Sequence, residues 1–137
     1  MPTVRARTCI RTGAAVWATA GAAAMLFGVP AVAWLSGSYW MGLVLGEVYF
    51  LAQVLLAVQA YRAAGRGTAQ ALRWLAGSLA WAGVPLWALS VLAWLNADAS
   101  EAWADLAPRT TTAGGACLLL AVVALVPLLS ARRQHRR

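Results

Sequence analysis

The stretch TGAAVWATAGAAAMLFGVPAVAWLSGSYWMGLVLGEVYFLAQVLLAVQAY, residues 12–61, contains a single charged side chain, Glu47. A helix needs about 20 mainly apolar residues to cross a hydrocarbon core about 30 Å thick, so this stretch is too long for one crossing. It divides at Leu35-Ser-Gly-Ser-Tyr39, where small polar residues favour a turn. Working outward, the Arg residues at 62, 66 and 73 close the second span, an uncharged run reopens beyond them, and a polar loop precedes a last apolar run. The pattern predicts an all-α integral membrane protein in one domain, 1–137, with helices over 14–35, 39–61, 71–95 and 112–130.

Composition agrees with that architecture. The 137 residues are 62% hydrophobic and 11% charged, with a mean hydropathy of +0.69. A soluble domain has about 45–50% apolar and about 25% charged residues, so a water-soluble globule is excluded. The net charge of +7 does not indicate nucleic acid, because the Arg residues flank apolar runs instead of forming a stripe on a soluble fold. Ten of the eleven, Arg5, Arg7, Arg11, Arg62, Arg66, Arg73, Arg132, Arg133, Arg136 and Arg137, fall on one side of the spans. The positive-inside rule makes that side cytoplasmic and places both termini there, most simply at a cell's inner (plasma) membrane. Arg109, Asp98, Glu101 and Asp105 fall on the other side, in a loop over 96–109 that has the makings of a short amphipathic helix capped by Asp98 or Ser100.

Trp17 and Trp74 are expected at the inner headgroups and Trp34, Trp40 and Trp94 at the outer ones, where an indole keeps its N–H wet and its ring in hydrocarbon. The Arg-flanked apolar start and Pro30-Ala-Val-Ala33 also fit a cleaved signal peptide. The apolar run is longer than the usual 7–15 residues of such a segment, which favours an uncleaved first helix.

Gly28-Val29-Pro30 and Gly83-Val84-Pro85 occupy similar places in the first and third spans. They allow either a tandem hairpin repeat or two independent kinks at Pro30 and Pro85. Gly42 and Gly46 form a GxxxG pair just before Glu47, suited to close helix packing. An ionisable group at the centre of a span costs about 2.5 kcal/mol or more and is a functional candidate by default. Glu47 has no base at its depth, so Tyr49, Gln53, Ser90 and the carbonyls freed by the prolines are its expected partners. Its two readings are a proton- or cation-binding carboxyl and a hydrogen-bonded group at a helix interface.

Catalytic chemistry is not encoded in any recognisable form. The single His, His135, lies in the Arg tail, Cys9 falls on the inner side while Cys117 falls in the outer part of the fourth span, and no phosphate loop is present. No cofactor, metal site or catalytic residue is therefore expected. The leading reading is a non-catalytic accessory, assembly or regulatory subunit that meets the bilayer and another membrane protein, or itself. The alternatives are a homo-oligomeric transporter or channel using Glu47 and a holin-like permeabilising protein. Topology can be checked with a membrane-impermeant maleimide in a Cys117→Ser background. Cys9 should label only after permeabilisation, and a cysteine introduced as Ala99→Cys should label in intact cells; the reverse pattern would invert the assignment.

Overall fold

A computed structural model describes residues 4–30 and 39–134, and every described segment of length is helical. The first helix, α1, spans Val4–Ala23 and passes through one π-helical turn, Ala24–Gly28, before residue 30. Then follow α2, Tyr39–Ala63; α3, Thr68–Leu95; and α4, Glu101–Gln134. All four helical segments are long and apolar enough to cross a membrane, and most of the surface of each is uncovered by the chain itself. In water such exposure would be untenable, whereas hydrocarbon accepts it, and helices satisfy their backbone groups internally there.

The helices run further than the apolar windows. The first begins at Val4, not at 14, because neither Gly nor Pro interrupts residues 4–12 and Arg is a good helix former. The fourth absorbs the predicted outer-loop segment into one helix of 34 residues, about 51 Å long. Ser100 Oγ accepts the Trp103 N–H at 3.4 Å and caps it. Pro108 removes one backbone bond inside this helix. The threonines after it direct their hydroxyls to carbonyls of the same helix, Thr110 to Leu106 at 2.9 Å, Thr111 to Ala107 at 2.7 Å and Thr112 to Pro108 at 2.9 Å. No polar group there requires the chain to break. Asp105 and Arg109 pair at 2.9 Å across one turn, too exposed to add much stability.

The chain divides into two compact units, 1–78 and 79–137, with the boundary inside α3. In the first unit α1 and α2 pack antiparallel. Arg11 meets Tyr61, Trp17 meets Gln53, and Val29 meets Gly46, so contacts rise along one helix as they descend the other. Both helices spend a glycine on the contact. A Cβ on Gly21 would overlap the Gln53 amide, and one on Gly46 would sit 2.7 Å from Val29 Cγ1. Next to it the π turn, in which Val29 N–H reaches back to Ala24, widens the helix just before Pro30, whose ring crowds the preceding turn. At the other end of the unit Ile10 packs on buried Ala63, Ala64 and Ala71.

In the second unit the last part of α3 and the body of α4 also pack antiparallel through glycine. Gly83 lies against Cys117, Leu118 and the Gly114 carbonyl, and a Cβ on Gly114 would stand 2.7 Å from the Trp87 backbone nitrogen. The two Gly-Val-Pro triplets serve differently: Val29 is buried while Gly28 is open, whereas Gly83 is buried while Val84 is exposed. Gly114→Ala must push backbone against backbone and should cost roughly 1–3 kcal/mol. Gly115→Ala, with open space at that position, should be neutral or slightly stabilising. Thermal unfolding of both variants in one detergent separates the two.

Candidate functional site

Three side chains in the first unit form a closed hydrogen-bonded ring between helices. The Trp17 indole N–H of α1 donates to Ser78 Oγ of α3 at 2.9 Å. Ser78 Oγ in turn donates to the Gln53 backbone carbonyl of α2 at 2.8 Å. The Gln53 side-chain amide donates to the Trp17 backbone carbonyl at 3.0 Å and closes the circuit. Ser78 is fully buried and Gln53 is 1% exposed. Each bond offsets the cost of holding a polar group in hydrocarbon, and interhelical bonds of this kind contribute about 0.6 to 1.7 kcal/mol.

The ring fixes the orientation of the Gln53 amide. The Trp17 carbonyl can only accept, so Nε2 must face it and Oε1 must face the other way. Oε1 is buried without a hydrogen-bond donor, and it lies where a Cβ on residue 21 would be. Gly21 presents a bare Cα there, and any side chain at 21 would displace that oxygen. Glycine at 21 is thus tied to glutamine at 53. Sequence reading did not find this ring. One signal was available: Gln53 lies as far before the end of α2 as Ser78 lies after the start of α3, so an antiparallel hairpin brings them to one depth.

Glu47 lies elsewhere on α2. At 100° per residue it is about 120° from Gln53 and 100° from Gly46, and it is partly exposed beside the uncovered residues Val44, Val48, Leu51 and Leu55. Gly46 makes the close helix approach, and the carboxyl next to it is turned a quarter of the way round toward the uncovered face. No hydrogen bond or ion pair joins that carboxyl to another described residue. Of the partners expected for it, Gln53 is held in the ring and Ser90 donates to the Trp87 carbonyl of its own helix at 2.6 Å. Tyr49 stacks edge-on with Phe50, ring centroids 4.9 Å apart. Gly42 belongs to α2, but its packing lies outside the described residues.

The tryptophans expected as anchors divide similarly. Trp40 is 75% exposed, Trp74 is exposed, and Trp94 is exposed with its N–H on Thr111 Oγ1 at 2.9 Å. Trp17 differs from that expectation, since its N–H is directed inward to Ser78. Trp34 and His135 lie outside the described residues. Pro30 follows the π turn and Pro85 lies inside α3. Cys9 and Cys117 are free thiols. Among the described residues no three His, Cys, Asp or Glu side chains come together as a metal site would require.

No family model matches the chain, and no curated protein or solved structure matches it. Its own chemistry is therefore the guide to what it does.

Removing one member of the ring strands the others. Ser78→Ala leaves the half-buried Trp17 N–H without its acceptor and should cost about 1 kcal/mol. Trp17→Phe in the same background should then cost little more from the ring itself. A double-mutant cycle on thermal stability reads that coupling, and strict additivity would mean that the bond contributes nothing.

Proposed function

We propose that the chain is a non-catalytic subunit of a membrane complex, multi-pass in a cell's inner (plasma) membrane with both termini cytoplasmic. The observation that carries this reading is the place of Glu47, a carboxyl on the flank of the uncovered face of α2, among Val44, Val48 and Leu51. Hydrocarbon penalises an ionisable group there by about 2.5 kcal/mol or more. A second membrane protein that offers a donor or a base at that depth removes the penalty, and the apolar residues around Glu47 exclude competing water. The polar side chains inside the first unit, Trp17, Gln53 and Ser78, bond to one another and serve the fold. The placement of ten Arg residues on one side supports the orientation.

A homo-oligomeric transporter centred on the same carboxyl is the second reading, in which Glu47 meets its own copy across a symmetry axis. The two separate experimentally. Tagged protein purified in mild detergent at native expression should carry a stoichiometric foreign membrane protein in native mass spectrometry. Glu47→Leu should release that protein, while Glu47→Gln, still able to hydrogen-bond, should keep part of it. A clean homo-oligomer with no foreign partner would overturn the subunit reading in favour of transport.

A further inference from the structure

One end of the first unit carries six bases, Arg5, Arg7, Arg11, Arg62, Arg66 and Arg73, and the only acid in that unit is Glu47. Glu47 is fifteen residues before Arg62 on the same helix, about 22 Å along its axis, so it neutralises none of them. Among the described residues the only salt bridge, Asp105 to Arg109, belongs to the other unit.

One of these bases is held in a defined place. The Arg11 guanidinium carbon lies 5.5 Å from the centroid of the Tyr61 ring. Its Nη2 lies against Gly65, where an added Cβ would come within 2.9 Å of it. Gly65 belongs to the turn between α2 and α3, which is closed by the Gly65 N–H on the Arg62 carbonyl at 3.2 Å and the Arg66 N–H on the Ala63 carbonyl at 2.9 Å. Ile10, the neighbour of Arg11, is packed on Ala63, Ala64 and Ala71 and fixes the start of α1 against this turn. The cation–π contact with the ring and the space left by the bare glycine therefore seat the guanidinium. Its N–H donors, which radiate in the guanidinium plane, are not consumed by an acid. Arg7 lies one turn earlier on the same side of α1, and Arg62 and Arg66 flank Gly65 in sequence, all of them exposed.

We infer that Arg11, seated on Tyr61 and Gly65 at the end of the unit that also carries Arg7, Arg62 and Arg66, is a binding site for a phosphate group, that of an anionic phospholipid head. A guanidinium matches a phosphate with two parallel N–H···O bonds, and one already held in place loses less freedom on binding than a free one. The positions agree with this assignment, because Tyr61 and the turn lie at the end of the apolar window Leu43–Ala63, where a spanning helix would leave hydrocarbon. The site does not depend on the subunit reading.

The test uses the full chain in mixed micelles of phosphatidylcholine with a minor fraction of phosphatidylglycerol, with retained lipids counted by native mass spectrometry. Wild type should retain one phosphatidylglycerol in preference to phosphatidylcholine. Arg11→Gln should reduce that preference about fivefold, the ratio expected for one base at an anionic surface. Tyr61→Phe should keep it, Tyr61→Leu should lose much of it, and Gly65→Ala should weaken it by displacing the guanidinium. Arg73→Gln is the control: it removes the same charge at the same end, but Arg73 is about 200° round α3 from the buried Ala71 and outside the cradle. Matched melting temperatures for Arg11→Gln and Arg73→Gln establish that both fold. The inference fails if wild type shows no preference, or if Arg73→Gln weakens retention as much as Arg11→Gln, since either result means diffuse attraction. An excess of inorganic phosphate should leave the lipid bound; displacement by it would reassign the site to soluble phosphate and overturn the lipid assignment.

Discussion

A polar side chain inside a membrane bundle has no water to turn to, and the first unit is arranged around that constraint. Trp17, Gln53 and Ser78 come from three different helices, and each supplies what another lacks: an indole that can only donate, a hydroxyl that both accepts and donates, and an amide that donates to a carbonyl. Because the circuit is closed, no one helix can rotate or slide by a residue without leaving a buried group unpaired. The apolar contacts of the same helices provide no such register, since Leu and Val faces pack almost as well one turn along. In lipid, where apolar helix faces gain little by leaving the solvent, a polar circuit of this kind specifies the arrangement more than it strengthens it.

The glycines follow from that register. Gly21 must be bare because the Gln53 amide comes to rest over it, and Gly46 must be bare because Val29 fills the space beside it. One contact lies just before the π turn and the other just past it, and Arg11 on Tyr61 keeps the helices together at the other end. The π turn maintains the second contact. A helix that is to present Val29 to Gly46 immediately before a proline has to accommodate the crowding by the proline ring, and a single widened turn does so without ending the helix. In the second unit Gly83 and Gly114 perform the same task between α3 and α4.

Most of the architecture was legible in the sequence because hydrocarbon imposes a length and a composition that four apolar runs satisfy. The helix ends were less so. Hydropathy reports where charge begins, but a helix stops only where something breaks it, and neither the Arg residues at 5–11 nor Pro108 does. Gly46 was visible through its GxxxG spacing, whereas Gly21, Gly83 and Gly114 match no such spacing, and their role depends on which residue faces them from another helix. Trp17 read as an anchor for the same reason. An indole near an Arg-rich end is usually at the headgroups, and only the depth shared by Gln53 and Ser78 reveals an internal acceptor for its N–H.

That same ring bears on how Glu47 is to be read. A carboxyl that carries protons across a membrane needs polar groups above and below it, so that water or a relay reaches it from each side in turn. Along α2 the residues within about 40° of Glu47 are Trp40, Leu43, Leu51, Val54, Val58 and Tyr61. Four of the six are aliphatic, Trp40 toward one end carries an indole N–H, and Tyr61 at the far end lies beneath Arg11. Gln53, the nearest amide toward the Arg-rich end, is turned away and held by Trp17, and Gln59 is about 120° round on the opposite flank. An acid whose nearest neighbours along its own edge, Leu43, Leu51 and Val54, are aliphatic fits a single partner at a single depth. That arrangement supports the docking reading proposed above, in which the contact would lie on the uncovered side of α2, a quarter-turn from Gly46.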